Sequence, residues 1–557
     1  MGVIVAIEDK IKNAFKESAL KAKEEGALSF EELPSFMLEV PKDKAHGQYA
    51  VNLAMVLTKI ERKNPRVNGE ILINHFNPEG TYVEKLELAG PGFINMHLNK
   101  EYYELIIENI LAEKEAYGQS DFGQGEKINV EFVSANPTGL LHMGNARGAA
   151  IGDTLGNILK AVGYKVTKEY YINDAGNQIE NFGKSLEARY LELIGETVEF
   201  PEDGYHGEDI ITTVEGYIKK EGKNLLDVDS EKRRKILVAY GLEEKLGQIK
   251  EGLKRFGVTY DVWFSEKSLY ESKAVDEALE ILREKGYIEE KDGAIWLKAT
   301  LLGEDKDEVM IRQNGTPTYF AADIAYHKNK FDRGFVNTID VWGADHHGHV
   351  ARMKKAMDAI GYDGSKLEVI LMQLVRLFKG GETLRMSKRT GTYVTLEELL
   401  NEVGEDAARY FFVMRNPDSH LDFDLNLAKK ESSDNPVFYI QYAYARISSI
   451  LRQLEEPLEP YLDKEGFAYT TDAEEELIEK IGELEKVLID AAIKREPYRI
   501  ASYAYDLSGL FHQFYNACRV LNEEEPLKSS RLKLIVGTQY TLKNVLKILG
   551  VNAPGKM

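Results

Sequence analysis

The sequence is poor in cysteine and in long apolar runs. Its 557 residues include one cysteine, Cys518, which excludes an intrachain disulfide and is typical of a protein from a reducing cytoplasm. No apolar run approaches the ~18 residues of a membrane span, and the short apolar stretch at the start lacks a secretory cleavage site. We therefore expect a cytoplasmic protein with no membrane association, in which Cys518 packs in the core.

The sequence also lacks an excess of positive charge. A formal net charge of −21 argues by itself against RNA binding, because clustered Lys and Arg usually meet the phosphates. Net charge describes a local binding face poorly, however, so an acidic protein can still present a basic or aromatic face to a structured RNA. The densest basic run, residues 232–235, is short and is predicted to be a solvated helix face.

Residues 128–172 show the order strand, glycine-containing turn, helix, strand. The β-branched run 128–135 and the run 164–172 are typical of strands, and residues 147–162 are typical of a helix. In a parallel sheet this order places the turn, residues 136–146, at the carboxyl edge and facing a helix amino terminus, where an anion is favoured. The turn has neither the P-loop pattern nor Gly-x-Gly-x-x-Gly, so it predicts a phosphate site of another class.

The chain is long enough for three or four domains. Residues 1–118 are predicted as a separate α/β unit, and residues 119–395 as a Rossmann-like parallel-sheet catalytic domain with an insertion at about 177–310. Residues 396–557 show long helical periodicity with few strand signals and are predicted as an all-helical domain. The expected fold is therefore multidomain α/β with an all-α carboxyl-terminal domain.

Two short motifs resemble those of class I aminoacyl-tRNA synthetases. His142-Met-Gly-Asn145 resembles the His-x-Gly-His element, and Leu384-Arg-Met-Ser-Lys-Arg389 resembles the Lys-Met-Ser-Lys-Ser loop, 246 residues downstream (388 − 142). Adenylyl transfer needs mainly placement of charge on phosphate oxygens. A basic cluster alone is usually a solvated turn, but the order and spacing of the two motifs favour the synthetase interpretation.

Further segments resemble arginyl-tRNA synthetases of the bacterial type. They are residues 135–139, 171–178, 318–327, 341–349 and 437–446, and the resemblance runs from the first residues to Met557. It implies an arginine–tRNA ligase that uses ATP, with Mg²⁺ carried by the ATP, to convert L-arginine to arginyl-adenylate and transfer it to tRNA(Arg). It also implies a monomer whose amino-acid activation requires tRNA.

The resemblance assigns roles to the residues of the two motifs. His142, Asn145, Arg385 and Lys388 are expected to be catalytic. The residues expected at ATP are Gly139, His142, Gly144, Asn145, Asp345, His346, Met386, Ser387 and Lys388. Asn145 departs from the family, which has histidine there, and an amide can donate a hydrogen bond but carries no charge. Arg385 replaces a lysine, which preserves charge and changes geometry.

Recognition of arginine requires carboxylates, because the guanidinium is planar, has five donors and stays protonated. By resemblance, Tyr319 and Asp323 form this pocket with help from Glu131, and Asn136 contacts the amino or carboxylate group of the substrate. A spacing of four places Tyr319 and Asp323 on one face of a helix. The run 345–349 also invites a zinc interpretation, which we disfavour because no cysteine pair or His-Glu-x-x-His helix accompanies it.

The remaining expected contacts are with tRNA. By resemblance, Phe93 stacks on a D-loop base and Asn95 bonds a base edge, whereas Tyr439, Tyr442 and Met557 belong to the anticodon site. The alternative for each aromatic residue is core packing, and for Phe93 and Asn95 it is a turn that leads into a core strand.

Three alternatives to the arginyl interpretation remain open. A glutamyl or glutaminyl enzyme should have Arg or Lys where Asp323 stands, and a cysteinyl enzyme normally has zinc-binding cysteines. A smaller nucleotidyltransferase would lack the long helical carboxyl-terminal domain. A non-catalytic RNA-binding paralogue is disfavoured because both His142 and Lys388 are retained.

Overall fold

The computed structural model describes residues 2–380, 382–384 and 394–557, and it describes residues 383 and 384 through their backbone alone. The predicted site residues Arg385, Met386, Ser387 and Lys388 lie outside the described residues.

The amino-terminal unit is an antiparallel sheet covered by helices. Its elements are α1 (Val3–Glu24), β1 (Leu38–Glu39), β2 (Tyr49–Val51), α2 (Leu53–Glu61), α3 (Pro65–His75), β3 (Val83–Ala89), β4 (Phe93–Leu98) and α4 (Lys100–Glu113). The strand order is β1-β2-β4-β3. The inner face of α1 buries Ile4, Ile7, Ile11 and Phe15 at helical spacing, as expected of an amphipathic helix packed against neighbouring helices such as α3 and α4.

The central unit is built on a five-stranded parallel sheet. Its elements are β5 (Lys127–Glu131), α5 (Met143–Ala161), β6 (Lys165–Ile172), α6 (Asn177–Ile194), α7 (Glu208–Glu221), α8 (Ser230–Arg255), β7 (Val262–Ser265), α9 (Lys267–Glu271), α10 (Ala274–Glu284), β8 (Ile288–Lys291), β9 (Ala294–Leu297), β10 (Glu308–Ile311), α11 (Tyr319–Asp332), β11 (Asn337–Gly343), α12 (His347–Ile360), β12 (Leu367–Met372), β13 (Val375–Lys379) and β14 (Glu382–Leu384). The parallel order is β12-β11-β5-β6-β7, and β8, β9 and β10 form a separate antiparallel sheet.

The predicted strand-turn-helix-strand unit is confirmed as β5, α5 and β6. Strand β5 is buried on both faces apart from its first residue, which is typical of a parallel sheet covered on both sides. A Cβ atom at Gly152 would lie 2.1 Å from the Phe132 ring. Glycine at this position therefore allows α5 to pack closely against the end of β5.

Strand β7 differs from the sequence prediction. It lies inside the range 177–310 that we predicted as an insertion, yet it pairs in parallel with β6, with Tyr170 opposite Trp263. Only four residues long, β7 gives a weak periodicity signal between charged helices. The insertion is therefore interrupted by an edge strand of the main sheet.

The carboxyl-terminal unit is predominantly helical. Its elements are α13 (Leu396–Val403), α14 (Glu405–Val413), β15 (Leu421–Asp424), α15 (Leu425–Ala428), α16 (Pro436–Arg452), α17 (Glu459–Leu462), α18 (Asp472–Gly482), α19 (Leu484–Lys494), α20 (Tyr498–Ala517) and α21 (Leu527–Leu549). The strand β15 pairs in parallel with β13, so the chain returns to the central unit before the long helices begin. Cys518 is buried, which confirms its predicted place in the core.

Buried arginines join the units. Arg409 on α14 donates to the carbonyl of Leu549 (2.8 Å), the carbonyl of Phe256 (3.1 Å) and the carboxylate of Asp153 (2.6 Å).

Arg233, which we predicted to lie on a solvated helix face, is buried instead. It donates to the carbonyl of Leu225 (2.9 Å) and to neighbouring groups. These partners are distant in sequence or sit in loops, and no local pattern marks them.

Candidate active site

The turn before α5 is held by reciprocal caps. His142 is the N-cap of α5, and its Nδ1 accepts a hydrogen bond from the backbone N–H of Gly144 (3.1 Å). The Asn145 side-chain oxygen accepts in turn from the backbone N–H of His142 (3.1 Å), which completes a capping box. A Cβ at Gly144 would lie 3.0 Å from the His142 ring. Asn145, where the family has histidine, therefore organises the helix amino terminus.

Residues 394–396, which follow the second motif in sequence, lie against the turn before α5. The N–H of Leu396 donates to the carbonyl of Leu141 (2.8 Å), and the N–H of Met143 donates to the carbonyl of Val394 (3.3 Å). His142 and Thr395 form an isolated antiparallel bridge. The segment that follows residue 393 is thus anchored on the turn 136–146, which we call the phosphate turn, although the two lie far apart in sequence.

A strained bend follows β5. Val133 and Ser134 have φ angles of +70° and +39°, which are unfavourable for residues with a Cβ, above all for a β-branched one. The Ser134 hydroxyl donates to Glu131 (2.8 Å) and accepts from the N–H of Tyr171 (3.1 Å). The bend carries the exposed Asn136 to the carboxyl edge of the sheet, where the prediction placed it.

Tyr319 and Asp323 lie on the first two turns of α11. The segment is helical, which is the condition under which their spacing of four places the two side chains on one face. Tyr319 is 45% exposed. The Asp323 carboxylate accepts a hydrogen bond from His349 Nε2 (3.0 Å), and the His349 ring packs beside Trp342 and Phe320.

Glu266 is a site residue that the sequence prediction missed. It directly follows β7 and lines a cavity of about 250 Å³ with Tyr270, Arg312 and Tyr319. The side chain is almost fully buried, and its carboxylate accepts from the Tyr270 hydroxyl (2.9 Å). Among the described residues it forms no ion pair. Recognition of β7 as a strand of the main sheet would have indicated Glu266, because it stands at the carboxyl edge.

The electrostatic state of Glu266 follows from this setting. Burial, with a further contribution from the negative charge of Asp323, raises the pKa of Glu266 to about 7. Burial likewise raises the pKa of Tyr319, again with the charge of Glu266 contributing. A carboxylate that is buried against neutral donors and a second carboxylate is suited to bind a cation.

Glu131 is committed to an internal network. Its Oε2 accepts from Lys330 Nζ (2.5 Å), which also donates to Asp340 (2.7 Å), and Asp340 in turn contacts His327 Nε2 (2.7 Å). Burial raises the pKa of Glu131 against the opposing pull of the Lys330 charge. Its predicted contact with arginine stays a prediction, and its charge is already balanced within the sheet.

Asp345 and His346 follow β11 at the carboxyl edge. Both side chains are exposed, and His346 Nε2 lies 3.8 Å from the Asp345 carboxylate. Strand β11 is the neighbour of β5 in the sheet, so this pair lies on the same edge as the phosphate turn. In the described part of the chain no three His, Cys, Asp or Glu side chains converge as metal ligands, and His349 of the same run contacts Asp323 instead.

Helices α16 and α20 present an aromatic patch. We use this name for Phe438, Tyr439, Tyr442, Tyr505, His512 and Tyr515. Tyr442 is 36% exposed and stacks on Phe438 (ring centroids 6.2 Å apart), and Tyr439 packs on His512 (4.6 Å). The Arg446 guanidinium lies over the rings of Tyr442 and Tyr515. Phe511 and Phe514, one layer deeper, are fully buried core residues.

The two predicted tRNA contacts of the amino-terminal unit lie on β4. Phe93 is half-buried, and Asn95 is only 3% exposed. Strand β4 is paired on both sides, with β2 and β3. Met557, the remaining predicted contact, is exposed, and the carbonyl of nearby Gly555 accepts from Arg452 (2.9 Å).

Comparison with protein families defines the class. The family model for "tRNA synthetases class I (R), catalytic domain" matches residues 106–430, the "Arginyl tRNA synthetase N terminal domain" matches residues 6–98, and the "DALR anticodon binding domain" matches residues 440–557. These matches agree with a parallel sheet whose carboxyl edge carries the turn that contains His142. The fold and the family matches are those of a class I aminoacyl-tRNA synthetase.

Comparison with individual proteins narrows the class. An arginine–tRNA ligase of Desulfitobacterium hafniense is 56% identical, and one of Moorella thermoacetica is 54% identical, each over the full length of both chains. The arginyl-tRNA synthetase of Thermus thermophilus has the same fold, with a TM-score of 0.74 at 22% identity over 98% of this chain and 100% of the other. The chain belongs to the arginine–tRNA ligase family.

Within the residues that the structure describes, no helix combines the length and apolarity that crossing a bilayer requires.

Proposed function

We propose that the cavity beside β7 and α11 selects L-arginine through two carboxylates, those of Glu266 and Asp323. The observation that carries this proposal is the burial of Glu266 without a cationic partner among the described residues. A guanidinium supplies the missing positive charge and several donors in one plane. Tyr319 borders the same cavity and supplies a hydroxyl on the outer side.

ATP is proposed to bind at the start of α5. Gly139 and Gly144 allow close approach of phosphates, and the amino terminus of α5 favours negative charge. Asp345 and His346 are proposed to contact the adenosine part, and Asn136 the arginine amino or carboxylate group. Mg²⁺ is expected to arrive on the ATP phosphates, because this ion keeps most of its waters and takes few protein ligands.

The reaction proposed here has two steps. An arginine carboxylate oxygen attacks the α-phosphorus, the bond to the bridging oxygen breaks, and pyrophosphate leaves. A tRNA ribose hydroxyl then attacks the carbonyl carbon, and AMP leaves. Lys388 and Arg385, with Met386 and Ser387 of the same motif, are proposed to stabilise the phosphate charge, while His142 and Asn145 shape the turn that receives it.

The partner in the second step is proposed to be tRNA(Arg). The aromatic patch, with Tyr439 and Tyr442, offers faces on which unpaired bases can stack, and Arg446 adds positive charge there. Met557 is proposed to lie at this site. Contacts of Phe93 and Asn95 with the D-loop stay predictions. The division at residues 118 and 395, a monomeric state and a cytoplasmic location remain predictions of the same kind.

A charging assay tests the proposal. Purified protein is incubated with total tRNA, ATP and Mg²⁺, and with each radiolabelled amino acid in turn. We expect arginine alone to be attached, and pyrophosphate exchange to require tRNA. Charging of glutamate or glutamine in place of arginine would overturn the assignment of the cavity.

A further inference from the structure

The Asp323 carboxylate has a histidine partner, His349, that the proposed reaction does not use. His349 Nε2 lies 3.0 Å from Asp323 Oδ2, and both side chains are partly buried. The His349 ring is fixed between Trp342 (ring centroids 5.6 Å apart) and Phe320 (5.5 Å). The imidazole is therefore held in place by packing and fixes the orientation of the Asp323 carboxylate.

His349 acts as a hydrogen-bond donor to Asp323. It lies in the first turn of α12, and an imidazole that carries its proton on Nε2 donates to the carboxylate. A carboxylate oriented in this way can accept further hydrogen bonds from a guanidinium.

The other charged and titratable groups of this region act on the same carboxylate. From α11, Tyr319 shares the helix face with Asp323. From the sheet side, Glu266, Tyr171 and Tyr270 feel the Asp323 charge, which contributes to raising their pKa values. His327 feels it as well. In the turn just before α12, His346 and Asp345 lie 3.8 Å apart and are exposed.

We propose that His349 is a positioning residue for arginine recognition. The hydrogen bond from its Nε2 aligns the Asp323 carboxylate for the guanidinium. The inference rests on the proposed function, because it takes Asp323 as a ligand of arginine.

The test compares the arginine KM and the kcat of His349→Gln and His349→Ala with those of the wild type. His349→Gln keeps a side-chain donor, and we expect its arginine KM to match that of the wild type. His349→Ala should raise the arginine KM about tenfold at pH 8, with kcat within about twofold. The matched control is His347→Gln, an exposed neighbour, which should change neither quantity.

The outcomes separate this inference from the function on which it rests. Failure of the wild type to charge arginine would overturn the proposed function. Normal charging with an unchanged arginine KM in His349→Ala, or with an equal rise of the arginine KM in His349→Gln and His349→Ala, would overturn the role of His349. If His349→Ala unfolds at a much lower temperature than the wild type, His349→Asn replaces it in the comparison, because it also places an amide donor at this position. Arginine binding is then measured by equilibrium titration.

Discussion

Replacing Glu266 by glutamine should affect binding and stability in opposite directions. The substitution keeps the size of the side chain and its hydrogen bond with Tyr270 but removes the charge that faces the guanidinium. Breaking a buried charge pair costs about 2–4 kcal/mol, and each 1.4 kcal/mol is a factor of about ten. The arginine KM of Glu266→Gln should therefore rise by a factor of about 30 to about 1,000.

The stability change follows from the pKa. Burial raises the pKa of Glu266 from 4.5 to about 7, so at pH values above 7 the ionised group costs the free enzyme about 3 kcal/mol. Because the folded-state pKa is the higher one, wild-type stability from this group is complete below pH 4.5 and is lost as the pH rises through 7. Glu266→Gln lacks this loss. Its Tm should exceed that of the wild type at pH 8 and match it at acidic pH.

Two assays check this prediction. Aminoacylation kinetics give KM, and thermal unfolding at several pH values, without arginine, gives Tm. The control is Glu271→Gln, an exposed glutamate on α9, which should change neither. A lower Tm at pH 8 combined with a normal KM would refute the reasoning, because Glu266 would then be a structural hydrogen-bond acceptor whose charge the fold requires.

Three further substitutions follow from the same account. Lys388→Ala should lower kcat by a factor on the order of a hundred with little change in arginine binding; an unchanged kcat would make the loop a solvated turn. Asp323→Asn should weaken arginine binding by about 2–4 kcal/mol, measured as a rise of the arginine KM in aminoacylation kinetics. A large loss of Tm at normal KM would instead show that Asp323 and His349 form a structural pair. Tyr442→Ala should weaken tRNA binding by about 1–3 kcal/mol in a filter-binding or titration assay while leaving ATP affinity intact; early melting with normal tRNA binding would make the residue part of the core.

Local patterns predicted the phosphate turn and the face of α11. The strand-turn-helix order around His142 depends on β-branched runs and glycines within a few turns of each other, which sequence periodicity captures. The spacing of Tyr319 and Asp323 is likewise local. The structure confirms the strand-turn-helix order, shows that the segment with Tyr319 and Asp323 is helical, and adds that Asn145 serves as the second partner in a capping box.

Features that depend on partners distant in sequence could not be predicted from local patterns. Glu266 gains its character from burial against Tyr270 and from the charge of Asp323, which only the closed sheet brings together. Arg147 is buried because it donates to carbonyls such as that of Gln373 (2.7 Å), and an arginine in a helical pattern gives no sign of such partners. The strand β15 was missed because its pairing partner, β13, precedes it by more than forty residues.

Proton release on arginine binding tests the central claim most directly. At pH 7 about half of the Glu266 carboxyls carry a proton, and a guanidinium favours the ionised form. Calorimetric titration of the enzyme with arginine, in buffers of different ionisation enthalpy, should therefore show release of up to about half a proton per site at pH 7. The release should shrink at pH 8 and decrease in Glu266→Gln. Tight arginine binding without proton release, or with the same release in Glu266→Gln, would contradict the assignment of this carboxylate to the guanidinium.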